Sequence, residues 1–403
     1  MAITTQAAKD ATQAATRLAC DSLLALSRAV HACPETAWEE HRSVEMVAGL
    51  LAHDARFRVM AKPGGFDTAF VATSGNGPLH IGICAEYDAL PGIGHACGHN
   101  VIASAAVGAG LALAGVADDL GLTVTVFGTP AEEGGGGKID MLKAGLFDGV
   151  HAAMMVHPSP TEADRMHCLA VSPFDVHYHG RTAHASAFPE AGINAADAIT
   201  VAQVALGLLR QHIRPTNRIH GIVTKGGDAP NIVPDHTIYA AYIRARTIAE
   251  LEQLRPRTDA IFAAAALATG CTHEIVEHSD AYSEFLDDED TLALYRANAV
   301  ALGRRFPAFQ RRRPPMHPHD GVDAISASTD MANVSLKIPS IHPMVAIEAR
   351  GASNHQPEFT AACATESADQ AVLDGALAMA WTAIDLASDA THRDRLLNGT
   401  WPQ

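Results

Sequence analysis

The chain has 403 residues, with 45 acidic against 29 basic side chains and a formal net charge of -16. That length exceeds one ordinary core and predicts two domains, while 48% apolar and 18% charged content marks a globular protein. The acidic balance argues against a nucleic-acid partner, which requires a basic face; Arg311-Arg312-Arg313, beside Pro314 and Pro315, reads as a solvated loop.

Residues 6–31 place Leu18, Leu23, Leu24, Leu26 and Val30 at helical spacing, an amphipathic helix stopped by Pro34. A second helix is expected over 35–52, with Val44, Val47, Leu50 and Leu51 on one face. Short strands follow near 56–60, 68–72 and 80–84. The third ends in Glu86 and Asp88, turns through Pro91, Gly92 and Gly94, and presents Cys97 and His99 just before a small-residue helix, 101–117. Strands at 122–128 and 152–156 flank a glycine loop, 134–137, and a short helix, 139–144. This alternation implies an α/β layer with a largely parallel sheet, whose ligands emerge at the carboxyl ends of strands. From 173 to 281 the order becomes β-α-β-β-α-β, one sheet with both helices on one face. A helix over 284–302 follows, 330–334 and 341–347 return to the first sheet, and a helix over 365–387 closes the chain. The fold class is α/β with two domains: a discontinuous sheet domain, 1–172 and 282–403, and an inserted domain, 173–281.

The seven cysteines are odd in number and irregular in spacing, which points to a reducing compartment and a cytoplasmic location. The N-terminus has no continuous apolar run of the leader type. No stretch of about 18 apolar residues is evident, so no membrane span is expected.

Cys97 and His99, one glycine apart where a strand hands over to a helix, offer a thiolate and an imidazole to a divalent metal. The plainer reading is a packed thiol. Glu132 and Glu133 pair at a strand end before four glycines. They are either a solvated helix start or a division of labour, one carboxylate binding metal and the other moving a proton from water to the leaving nitrogen. His157 ends an apolar strand and His355 sits in a polar loop; each alone reads as an exposed loop residue. Together these ligands of S, N and O type exceed what one structural zinc needs and suit two metals sharing a bridge. His184 lies two residues from Ser186, but no G-x-S-x-G elbow accompanies them. Arg244 projects from a strand, either to pair with a substrate carboxylate or to form an ordinary salt bridge.

Ala85-Glu-Tyr-Asp-Ala-Leu-Pro91, His95-Ala-Cys-Gly-His99, Pro130-Ala-Glu-Glu-Gly134, Gly180-Arg-Thr-Ala-His184-Ala and His355-x-Pro-Glu-Phe359 stand in order along the chain. His31-Ala-Cys-Pro-Glu35 precedes them. Together they resemble the metal-dependent amidohydrolases of the aminoacylase, hippurate hydrolase and auxin-conjugate hydrolase family of metallopeptidases. Gly92-Ile-Gly-His-Ala-Cys-Gly-His-Asn100 and Ser328-Thr-Asp-Met-Ala-Asn-Val-Ser335 are more similar to the branch of the β-alanyl-lysine dipeptidases and p-aminobenzoyl-glutamate hydrolases. The resemblance implies two divalent ions per subunit, zinc, manganese or cobalt, held by Cys97, His99, Glu133, His157 and His355, with Cys97 as the bridge. It implies Glu132 as general base and acid, His184 as oxyanion donor, and Asn231 and Arg244 as substrate contacts. It also implies that 173–281 is a ferredoxin-like lid through which a homodimer forms. The substrate implied is a small N-acyl amino acid, dipeptide or aminobenzoyl-glutamate conjugate. Two departures, Asn100 and Glu86 where many members carry Asp, bear on the substrate more than on the reaction. The rival expectations are a catalytically retired binding protein of the same fold and a serine hydrolase using Ser186 or Ser328.

Overall fold

The computed structural model describes residues 3–307, 326–399 and 401; Arg311-Arg312-Arg313 lies outside them. The chain divides into two compact units, one drawn from Met1–Met166, Phe285–Gln310 and Thr329–Gln403, the other from His167–Glu284 and Arg311–Ser328.

The first unit is built on β1 (Arg58–Ala61), β2 (Phe70–Gly75), β3 (Leu79–Ala85), β4 (Leu122–Gly128) and β5 (Ala152–Met154). They lie in the order β1-β2-β4-β3-β5, and the short strand Ser340–Ile341 completes the sheet. From β4 outward the strands are parallel, with Ile83 opposite Val126 on one side and Met154 on the other, whereas β1 and β2 join antiparallel. Leu79, Ile81, Ile83, Leu122, Val124 and Val126 are wholly buried, as period-two apolar patterns within a covered sheet require. Helices α2 (His41–Ala52) and α3 (His99–Ala114) pack on this sheet, and α1 (Thr5–His31) packs on them. The small residues of α3 let it lie between the sheet, α1 and the helix Glu366–Ser388. A Cβ at Gly108 would come within 2.9 Å of Ala376 and 3.0 Å of Leu23.

Several expectations are corrected here. The second helix begins at His41 because Glu35 stands outside it and accepts from the amides of Arg42 and Ser43, satisfying free donors of the first turn. Leu18 faces solvent at 89% exposure, so the buried stripe of α1 runs through Leu23, Leu26 and Val30. Helix α3 starts at His99, so this residue projects from a first turn and does not precede it. Residues Met331–Ser335 form a short helix, with Asp330 anchored to the backbone amide and the ammonium of Lys138. Glu366–Ser388 is long and apolar enough to cross a membrane by length and composition alone, but most of it is buried in the core of this unit.

In the second unit, four strands lie in the order Thr272–Glu277, Ala170–His179, His236–Ala245, Arg218–Lys225, every neighbour antiparallel. Between them the chain forms helices Ala195–Arg210 and Ile248–Thr269, which cover Phe174, Val176 and Tyr178 on one face of the sheet. His177 and His179, which alternate with those residues, are on the other face.

Candidate active site

The carboxyl ends of β3, β4 and β5 lead into Glu86 and Asp88, into Glu132 and Glu133, and into His157. Cys97 and His99 reach the same place from the N-terminus of α3. Gly98 between them has φ +84°, and a Cβ there would strike Pro158 at 2.4 Å and the Cys363 sulfur at 3.0 Å. Only glycine fits that turn.

The donor atoms of Cys97, His99 and His157 lie within 4.8 Å of one another, and so do those of Cys97, Glu133 and His355. Cys97 therefore belongs to both sets, its sulfur 3.2 Å from Nε2 of His157. A third set, Glu86, His99 and Glu132, adjoins them. All five sequence-predicted ligands are thus brought together, with Glu132 beside them. His99 and His157 are buried, contrary to the loop default for His157, while the His355 side chain is 54% exposed. His355 sits at φ +68°, a left-handed conformation that non-glycine residues adopt at a cost of about 1–3 kcal/mol.

Neighbours of the ligands fix how each is presented. Nδ1 of His99 donates to Oδ1 of Asp88 at 3.0 Å, which turns Nε2 inward. The other Asp88 oxygen accepts from the Glu133 amide at 2.9 Å. Nδ1 of His157 donates to the Pro158 carbonyl at 2.8 Å, which likewise turns Nε2 toward Cys97. Carboxylate and carbonyl partners of this kind orient metal-binding imidazoles. Asn354, beside His355, donates to the Pro158 carbonyl at 3.2 Å. Glu40 accepts from the amide of Ala131, which holds φ +59° just before the glutamate pair. Nε2 of His99 and Oε1 of Glu133 are buried with no hydrogen-bond partner among the described residues, 3.8 Å apart.

The electrostatics fit a cation. Burial, then the charges of Glu86 and Glu133, push the Glu132 carboxyl well above its ordinary range. Burial also raises Glu133 and, with Glu133 beside it, the Cys97 thiol. Burial opposes charge on His99, but Asp88 and its hydrogen bond outweigh it and raise its pKa well above the ordinary value, a preference for positive charge at the place an ion would occupy. Burial and His99 together lower His157 to about 4, the neutral form that ligates. Buried Lys138 lies 2.6 Å from both Glu86 and Asp330. The residues fit two ions on three grounds: two donor triads with a shared sulfur, inward-facing atoms without partners, and acids in excess of cations.

Asp88, Glu40, Lys138, Asp330 and Asn354 are the parts that sequence reading left without a role. Asp88 carried a signal, since it shares strand-end position with Glu86. The others contact partners far away in the chain.

In the second unit, Nδ1 of His184 accepts from the amides of Ser186 and Ala187 at 3.3 and 3.2 Å. That leaves the proton of a neutral ring on Nε2, a donor facing outward. Ser186 Oγ also lies 3.3 Å from that Nδ1, a third neighbour of the same lone pair. The carbonyl of Asn231 accepts from the Ala185 amide, so the loops of His184 and Asn231 run side by side. Arg244 donates to Ser328 Oγ at 2.9 Å and lies over the Tyr242 ring at 5.7 Å. Among the described residues it pairs with no carboxylate, so the salt-bridge reading has no partner. Ser328 donates to the Leu169 carbonyl at 2.8 Å, a bond that commits its proton to the backbone and not to a general base.

The model of peptidase family M20/M25/M40 matches residues 82–372, which include every ligand-bearing segment above. The chain belongs to this peptidase family. As a member of the M20 family it is a hydrolase of amide or peptide bonds. It is 38% identical over 382 residues to the Xaa-Arg dipeptidase of Mus musculus, covering 91% of this chain and 86% of that protein. It is 29% identical to a p-aminobenzoyl-glutamate hydrolase polypeptide of Escherichia coli (strain K12), covering 89% of this chain and 87% of that one. A solved dinuclear metal binding peptidase of the M20 family from Bacillus subtilis matches with a TM-score of 0.66 at 18% identity. That match covers 92% of this chain and 99% of the other, and its likeness speaks for the fold.

Proposed function

We propose that this M20 hydrolase cleaves the amide bond of a small N-acyl amino acid, dipeptide or aminobenzoyl-glutamate conjugate, using two divalent ions. The observation that carries the reading is the pair of donor triads joined at Cys97, with Glu132 buried alongside. Cys97, His99, Glu133, His157 and His355 would hold the ions, with Cys97 as the bridge. Zinc suits the thiolate, and carboxylate and imidazole also accept manganese or cobalt. When bound, the ions supply Lewis-acid polarisation of the carbonyl and acidify water.

Glu132 takes the proton from the attacking water and returns it to the departing amine. A desolvated carboxyl with a raised pKa is suited to hold that proton between the two steps. His184, with Nε2–H outward, donates to the oxyanion. Asn231 contacts the substrate, and Arg244 binds its free carboxylate through charge-assisted hydrogen bonds. Relatives named for Xaa-Arg dipeptides and p-aminobenzoyl-glutamate support an amide substrate that carries such a carboxylate.

Residues 173–281 are proposed as a ferredoxin-like lid, whose closure excludes water, and as the site of homodimer formation. The edge strand Arg218–Lys225 exposes Ile222 and Val223, and helix Ala195–Arg210 exposes Val201, Val204 and Leu208, an apolar surface of the kind that pairs. A cytoplasmic location is proposed from the cysteine pattern.

The deciding experiment measures amine release from a panel of N-acyl amino acids, dipeptides and aminobenzoyl-glutamate, with protein reloaded in turn with zinc, manganese and cobalt. Turnover that a chelator abolishes is the expected result. Turnover that survives chelation, or that a serine-directed phosphonate stops, would overturn the metal reading.

A further inference from the structure

The open face of the second unit's sheet carries three imidazoles that the proposed reaction does not use. His177 and His179 lie two apart on Ala170–His179, and His236 of the neighbouring strand lies opposite His179 in register. Their nearest nitrogens all fall within 4.8 Å of one another. Nδ1 of His177 and Nε2 of His236 are 3.1 Å apart. Two imidazoles on one tetrahedral zinc ion hold their nitrogens about 3.3 Å apart, from bond lengths near 2.0–2.1 Å. Register also sets Glu274 of Thr272–Glu277 opposite His177, placing a carboxylate residue on the same face. Strand rise puts Arg244, eight residues along from His236, about 26 Å away.

We propose that His177, His179 and His236 form a separate binding site for a borderline divalent transition ion such as Zn2+, with Glu274 available as a fourth ligand. Imidazole sets of this kind select zinc, copper or nickel over magnesium or calcium. The rings now lie nearly parallel, His179 stacked on His236 at 4.7 Å between centroids. An imidazole's lone pair lies in its ring plane, so capture would require the exposed His179 ring to turn out of this stack until a nitrogen points at the ion. One group competes. Lys225 Nζ lies 3.3 Å from Nδ1 of His236, and it must withdraw along its flexible stem when Nε2 takes the ion, because Nδ1 then carries the proton. Burial and the adjacent Lys225, His179 and His177 lower the pKa of His236, which keeps it in the neutral, ligating form.

The test loads full-length protein with Zn2+ alone, counts bound ion by mass spectrometry after gel filtration, and measures affinity against a chromophoric chelator. The parent is expected to hold one more ion per chain than the His177→Ala/His236→Ala variant. A Cys97→Ala/His99→Ala variant, altered in the first unit, is expected to retain that additional ion. Lys225→Gln is expected to bind it more tightly than the parent. Circular dichroism verifies that each variant is folded, and His177, His236 and Lys225 lie outside the core packed by the two helices. An unchanged ion count in the His177→Ala/His236→Ala variant, or no tightening in Lys225→Gln, would overturn the site.

Discussion

The two units gather histidines in opposite ways. In the first, His99 and His157 are buried among four acids, and their protons are assigned by Asp88 and by the Pro158 carbonyl. In the second, His177, His179 and His236 lie on an open sheet face, stacked on one another with Lys225 against His236 and Glu274 opposite His177. The difference is one of rigidity. A buried donor set must have its orientation settled by surrounding partners, because an unpaired charge there costs several kcal/mol. An exposed set can turn its rings and exchange partners with water. The first arrangement suits chemistry that needs fixed atoms; the second suits reversible capture.

The sharpest way to break this contrast is at Glu132. Glu132→Ala is expected to retain both ions and lose about 10²–10⁴-fold or more in kcat, the usual range for a general acid–base group. Activity within a few fold of the parent would end its assignment.

The burial that fixes the first unit also strains Glu40, whose carboxyl is raised from 4.5 to about 7 by burial and then by Asp88. The folded state holds a proton that the unfolded chain releases in that window. Stability is therefore lost as pH rises from about 4.5 to 7, by about 3 kcal/mol in all. Glu40→Gln keeps the acceptor for Ala131 and should remove that loss. Chemical denaturation of both proteins in chelator at several pH values tests this, and parallel curves would contradict it.

Orientation by partners is tested at Asp88. Asp88→Ala should weaken metal binding by about 10–100-fold, as removal of such outer partners does. Chelator competition reads the loss, and unchanged affinity would mean that His99 is oriented by packing alone. The smallest expected effect is in the second unit. Arg244→Ala should raise KM by about tenfold or more for carboxylate substrates, the worth of a charged hydrogen bond, and leave the matching amides almost unchanged. Equal effects on both would remove the carboxylate role.

Much of the first unit was legible because its apolar runs end abruptly in polar residues. Cys97, His99, Glu132, Glu133 and His157 all follow such endings, and parallel strands carry those endings to one edge. The start of α2 was misread because 35–40 has helix-compatible residues, while the structure spends Glu35 on the helix N-terminus. Lys138 and Asp330, 192 positions apart, gave no local sign of their pairing. His177 and His236 are 59 apart and meet only through strand register, which a single strand pattern does not specify.

Gly98 bears on how the chain can vary. The residue holds no ion and makes no side-chain contact, yet a single added carbon would press Pro158, and so the strand of His157, away from Cys97 and His99. Ligand positions can exchange sulfur for nitrogen or oxygen and still attract some ion. This position has no comparable substitute. In a saturation library over 97–99, the silent middle residue should prove the least replaceable of the three.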